Sequence, residues 1–305
     1  MEERLIFHVD VNSAFLSWEA ARRVKEGLPD LREIPSCIGG DPKSRRGIVV
    51  AKSIPAKKYG VTTGEPVALA LRKCPDLVCV PGDFALFDRC SRAFKKICAS
   101  YAPVMESFSI DEVFLDMSGT HLIYPDPVAV AHEIKDKIRD DLGFTVNVGI
   151  GTNKLLAKMA SDFEKPDKVH TLFPSEIPEK MWPLPVRDLF FVGKAAERQL
   201  NRIGIRTIGD LAHTDQQVLS NVMKKHGEVL WRYANGMDDS PVEVEPADAK
   251  GYSNSTTVSF DITDAADAKS VLRSLTENVC RRLRKDGVRA RTITVQIRYN
   301  DLTRT

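Results

Sequence analysis

Strand-like runs alternate with amphipathic helical stretches up to about residue 165, and beyond Pro174 the strand signal stops until residue 256. That change of period constrains the chain most, because one packed layer of sheet and helix cannot extend across it and separate units must form. Leu5 to Val9 is apolar nearly throughout and ends at Asp10, the pattern of a buried strand. Ser13 to Lys25 has helical spacing and is stopped by Gly27 and Pro29. Gly39 to Pro42 reads as a turn, Gly47 to Lys52 as a strand and Ala56 to Tyr59 as a helical turn. Ala85 to Tyr101 reads as a helix, and Glu106 to Asp116 as a strand–turn–strand hairpin around Asp111-Glu112. A helix over Val128 to Leu142, a strand over Thr145 to Ile150 and a helix over Lys154 to Phe163 complete an α+β unit. Pro174 to Pro241 reads as all-helical.

The acidic, proline-containing stretch 242–250 reads as a linker. After it the spacing predicts a strand over Thr256–Phe260, a helix over Ala265–Lys285 and a strand over Thr292–Tyr299. The helix would bury Ala268, Val271, Leu272, Leu275, Val279 and Leu283. The last strand would turn Ile293, Val295, Ile297 and Tyr299 to one face.

The chain has 305 residues and a net charge of +2, unevenly spread. Residues 269–305 hold ten Lys or Arg against three Asp or Glu, which leaves the rest at −5. A basic segment on an acidic body suits a polyanion partner. No apolar run is long enough for a membrane helix, and the first residues read as neither a signal nor a transit peptide. Among the six cysteines none forms a Cys-x-x-Cys pair, so they read as free thiols of a cytoplasmic protein.

Asp10 at the end of a buried strand is unfavourable unless it is paired or meets a cation. If the hairpin lies beside that strand, Asp111 and Glu112 join it, and three carboxylates so close need a divalent metal such as Mg²⁺. The plainer alternatives are a helix cap and a solvated turn. Lys43, Arg45, Arg46, Lys52, Lys57, Lys58 and Lys165 could meet a triphosphate or be surface charges. Phe15 could sit against a nucleotide sugar or in the core. The Phe191–Lys194 turn could offer backbone N–H groups to a phosphate, or be an αα-corner.

Together, FHVDVNSAF at 7–15, IGG at 38–40, RRGIVVAKSIPAKKYGV at 45–61, SIDEVFLD at 109–116, VGIGTNKLLAKMASDFEKP at 148–166 and IGIRTIGDL at 203–211 resemble the Y-family translesion DNA polymerases of the DNA polymerase IV type. The motifs span essentially the whole chain in family order. The resemblance implies a right-hand polymerase with a palm (1–18 and 76–166), fingers (19–75), a helical thumb (167–241) and an α/β little finger (251–305), here apparently incomplete.

It also implies a DNA-templated DNA polymerase of low fidelity. Asp10, Asp111, Glu112 and the backbone carbonyl of Val11 would hold two Mg²⁺ ions. Phe15 would be the steric gate against a ribose 2′-hydroxyl, and Ser53, Lys57 and Lys165 would contact the nucleotide. Gly193, Lys194, Arg291 and Arg298 would contact DNA. The partners would be primer–template DNA and dNTP for a monomer away from membranes. No motif for a sliding clamp stands out, although the family often uses one.

Four features depart from the family. Ile54 and Lys57 stand where Tyr and Arg usually contact the triphosphate, which predicts weaker nucleotide binding unless Lys52 or Ser53 substitutes. Asn12 replaces a common Asp. Phe190-Phe191 replaces Pro-Gly in the thumb hairpin, and Phe191 is expected to resist a positive φ, against the phosphate contact there. The last unit stops short of further family strands. A non-catalytic DNA-binding subunit of a repair complex would have lost the carboxylates, and all three are present. A nucleotide cyclase would need neither thumb nor basic last unit.

Overall fold

The computed structural model describes residues 4–41, 47–244 and 249–305; Pro42, Lys43, Arg45, Arg46 and part of the expected linker lie outside them. In chain order the first elements are β1 (Ile6–Val11), α1 (Ala14–Lys25), β2 (Ser36–Gly39), β3 (Val49–Lys52), α2 (Ile54–Lys58), α3 (Val67–Lys73) and β4 (Val78–Val80). There follow α4 (Phe84–Ala99), β5 (Val104–Ser107), β6 (Glu112–Asp116), α5 (Pro127–Leu142), β7 (Val146–Gly151), α6 (Lys154–Ser161) and β8 (Val169–Leu172). The last helices are α7 (Lys194–Arg202), α8 (Ile208–His213), α9 (Gln216–Met223), α10 (Lys225–Ala234) and α11 (Ala265–Lys285).

A five-stranded sheet of order β5-β6-β1-β7-β8 carries the site. β1 lies at its centre, antiparallel to both β6 and β7, and is buried on both faces, which explains its largely apolar sequence. Phe7, Val9 and Val11 face the main core with residues of α1, α4 and α5. Ile6, His8 and Asp10 alternate to the face that α6 covers, where Ile6 meets Phe114 and Ala157. α6 lies so close to β7 that a Cβ on Gly149 would collide with the Ala157 carbonyl and the Ser161 N–H. Its opposite side, Leu155, Leu156 and Met159, packs into the core of the helical unit.

A second small sheet, β3-β2-β4, has its own core, including Cys37, Val49 and Ala70. All six cysteines are thiols. Burial pushes Cys37 up to about 12, and its Sγ lies 3.4 Å from that of Cys79 on the neighbouring strand.

Two strands lie close to the boundaries expected from sequence. β4 (Val78–Val80) pairs with β2 in the small sheet. β8 pairs with β7, so the sheet continues past residue 166. α1, although mostly assigned to the fingers from sequence, packs Trp18, Ala20 and Ala21 into the main core.

The last segment departs further. α11 forms as expected, and each residue of its apolar stripe is half-buried, with none fully buried. The strands over Thr256–Phe260 and Thr292–Tyr299 do not form. Only a tight terminal pairing of Ile297 with Thr305 and Tyr299 with Thr303 is made among the described residues there, and Ile293 is 87% exposed. Alternation alone cannot hold a strand that has no neighbour to accept its backbone hydrogen bonds.

Candidate active site

Asp10 and Glu112 stand directly opposite each other on β1 and β6, so both side chains leave the same face. The Val11 N–H donates to the Asp111 carbonyl at 3.0 Å, fixing the hairpin turn against the end of β1. The end of β1 and the hairpin turn are therefore neighbours along the backbone. Each carboxylate has its own partner. Asp10 accepts from Lys165, and Asp111 Oδ1 accepts from Ser109 Oγ at 2.7 Å. Glu112 Oε1 accepts from Lys158 Nζ at 2.5 Å and lies 3.5 Å from His8 Nε2. Among the described residues no three acidic, His or Cys side chains are closed into a metal cage.

The electrostatics ask for positive charge. Burial pushes the Asp10 carboxyl up, against the pull of Lys165 and Lys158. Burial acts the same way on Glu112, but the approach of His8 and the hydrogen bond and charge of Lys158 hold it well below the usual range. Lys158 and Lys165 are raised: burial opposes their charge and the neighbouring carboxylates outweigh it. This all-oxygen donor set at one strand end fits a hard divalent cation such as Mg²⁺.

Two buried amides position the lysine loop. Asn12 Oδ1 accepts from Thr145 Oγ1 and the Asp167 N–H, and its Nδ2 donates to Asn147 Oδ1. Asn147 Nδ2 donates to the Ser161 and Glu164 carbonyls. Asn12 thus ties the strand to the segment bearing Lys165, a structural task an amide performs with both its donor and its acceptor.

Between sheet and fingers lies a cavity of about 250 Å³ lined by Ser13, Ala14, Phe15, Val50, Ala51, Lys52, Thr63 and Asp111. It brings Phe15 and Asp111 to one space. The Phe15 ring also leans on Phe87, centroids 4.9 Å apart, so it borders both the aromatic core and the cavity. Ser13 enters α1 through a left-handed conformation, φ 47°.

Ser53 is not brought to the cavity. It is 2% exposed, and its hydroxyl accepts from the Ala56 and Ser36 N–H groups and donates to the Ile34 carbonyl. As the N-cap of α2 it has no hydrogen left for a nucleotide. Lys57 is exposed outside the cavity lining, as is Ile54. Lys52 fills that wall instead, its Nζ 3.3 Å from Thr63 Oγ1. Thr63, Lys158 and His8 were missed from sequence. For Lys158 the signal was its place on a helix after the strand that flanks β1.

At the thumb hairpin, Phe191 does adopt a positive φ, 70°, contrary to expectation. The Val192 N–H closes the turn on the Leu189 carbonyl at 3.0 Å, and the Phe191 ring packs at a tilt against Phe190. Gly193 caps α7 with open space around it, and Lys194, Arg291 and Arg298 are exposed.

The model of the impB/mucB/samB family matches residues 9–162, its HHH motif residues 174–205 and its C-terminal domain residues 249–305. The DNA polymerase IV of Clostridium acetobutylicum is 48% identical over 98% of this chain and 75% of that protein. DNA polymerase IV 1 of Bacillus subtilis is 37% identical over 98% and 71%. The chain belongs to the Y-family translesion DNA polymerases of the DNA polymerase IV type. DinB from Sulfolobus solfataricus superposes with a TM-score of 0.70 at 25% identity, over 79% of this chain and 69% of that one. A Y-family DNA polymerase chimera, Dbh-Dpo4(243-245)-Dbh, gives a TM-score of 0.83 at 22% identity, over 99% and 86%, a likeness of fold. No described helix is long and apolar enough to cross a membrane.

Proposed function

We propose that this Y-family polymerase extends a DNA primer at the end of β1 and β6, with Asp10, Asp111 and Glu112 as catalytic metal ligands. The observation that carries the reading is the placement of Asp10 opposite Glu112, with Asp111 beside them and facing the cavity that Phe15 walls. Two Mg²⁺ ions held by these carboxylates, with the Val11 carbonyl, would supply the charge that activates the primer hydroxyl and neutralises the leaving pyrophosphate.

The chain's own groups do the positioning. Phe15, backed by Phe87, presents a rigid wall to the sugar and leaves no room for a 2′-hydroxyl. Lys52 and Thr63 face the incoming nucleotide from the fingers. Lys165 neutralises Asp10 while no cation is bound, and is free to take a phosphate oxygen once one is. Lys158 holds Glu112 ionised. Gly193, Lys194, Arg291 and Arg298 lie on the DNA-binding surface. The enzyme acts in the cytoplasm as a monomer on primer–template DNA at low fidelity, and a sliding clamp could recruit it.

Primer extension with four dNTPs and Mg²⁺, beside Asp111→Ala, tests this. Extension by the parent alone, with DNA still bound by both, is expected. DNA binding without extension by the parent would favour a non-catalytic subunit.

A further inference from the structure

Phe191 combines two unfavourable features. Its φ of 70° is a conformation that side chains with a Cβ avoid, and its ring is 60% exposed. Strain of this kind persists where the surroundings over-determine it, and it concentrates at binding sites. Here the support is aromatic. Phe190 lies 4.4 Å away by centroid and Tyr233 6.0 Å. Phe190 in turn approaches Phe108, in the turn that carries Asp111, at 6.4 Å. The inner side of the Phe191 ring is thereby held, and the outer side is open.

Directly after it, α7 displays Lys194, Arg198 and Arg202 at four-residue spacing. All three are exposed, and none forms an ion pair among the described residues. They span about 12 Å of helix. Between ring and cations, Gly193 has nothing within 4 Å of where a Cβ would be, so a backbone can approach closely.

We propose that Phe191 packs on deoxyribose of the DNA strand whose phosphates run along Lys194, Arg198 and Arg202. This rests on the polymerase reading above and adds a contact of different chemistry. The cations release counterions when they meet phosphates, so their grip weakens with salt. A ring on an apolar sugar face releases none, and one already held by Phe190 loses little freedom on contact. The thumb thus has a salt-insensitive grip beside a salt-sensitive one.

Binding of a primed DNA template by Phe191→Gly and by Arg198→Ala/Arg202→Ala, measured over a range of salt concentrations beside the parent, tests this. Glycine relieves the left-handed backbone, so the melting temperature of Phe191→Gly should equal or exceed the parent's. Its Kd should nevertheless rise about tenfold at every salt concentration, with the parental salt slope. The double variant should lower that slope by about two. If Phe191→Gly melts early, Phe191→Asn, which also tolerates φ > 0, is read in its place. Parental affinity in the glycine variant, or an altered salt slope there, overturns the proposal while the parent still binds and extends DNA. A parent that binds no DNA overturns both this inference and the polymerase reading.

Discussion

Lys158 and Glu112 meet across the gap between α6 and β6, Nζ to Oε1 at 2.5 Å, with both side chains more than four-fifths buried. The pair links the five-stranded sheet to a helix whose other side packs into the core of the helical unit. The buried Glu112 carboxylate is thus kept ionised by one of the protein's own cations.

Lys158→Ala should therefore remove about 2–3 kcal/mol of stability at neutral pH, because Glu112 stays mostly buried with its nearest partner gone. The pH dependence follows from the depressed Glu112 pKa. Its contribution is complete above the ordinary value of 4.5 and is lost as pH falls through the folded value. Urea unfolding between pH 3 and 7 should show a shallower acid limb in the variant. A limb as steep as the parent's would exclude Lys158 as the cause.

Gly149→Ala should be worse. The added methyl meets the backbone of α6 at Ala157 and Ser161, which cannot rotate away. We expect a loss of at least about 3 kcal/mol, since the helix must shift off the sheet. Because that shift also carries Lys158 from Glu112, activity at a temperature where the variant is still folded should fall as well. A variant with parental melting temperature would contradict the packing described.

Lys52 should matter to nucleotide binding more than Lys57. Lys52 lines the cavity beside Asp111, and Lys57 lies outside its lining. Lys52→Ala is expected to raise the KM for dNTP about tenfold, with a much smaller effect from Lys57→Ala. Steady-state single-nucleotide insertion separates the two. A larger effect from Lys57 would restore the assignment made by family resemblance.

Phe15→Val should raise ribonucleotide insertion by an order of magnitude or more, roughly the discrimination a lost steric wall allows. Because the ring is half-buried against Phe87, a stability loss of about 1–3 kcal/mol should accompany it. Competition between dNTP and rNTP at one template position gives the ratio. Unchanged sugar selectivity would return Phe15 to the core alone.

Much of this was legible in the sequence. The nearly apolar run of β1 and the hairpin around Asp111-Glu112 are local patterns, and the structure forms both. What sequence could not supply was who meets whom across the fold. Ser53 was expected at the nucleotide, yet its hydroxyl is used up as a helix cap, a role the Ser-x-x-Ala pattern allowed but did not demand. Lys158 looked like one more helical lysine until α6 was laid on the sheet. Phe191 was expected to reject φ > 0 on its own preference, which neighbouring rings override. Thr292–Tyr299 shows the reverse limit, because a clean alternation does not become a strand without a partner edge.

Deleting residues 246–305 should separate the fold from the DNA grip. α11 buries none of its residues fully, and its cations Arg281, Arg284 and Lys285 lie in the basic segment that offsets an acidic body. The remaining chain should keep the parental melting temperature to within a few degrees, since its two main cores lie wholly before residue 245. DNA affinity should fall, and the dependence of log K on log salt should flatten by about 0.9 for each phosphate that the shortened chain no longer neutralises. Thermal melting and salt-dependent binding on the same two proteins read both effects. A shortened chain with an unaltered salt slope would show that the basic segment does not touch the DNA backbone, and the electrostatic grip would then lie with the thumb cations.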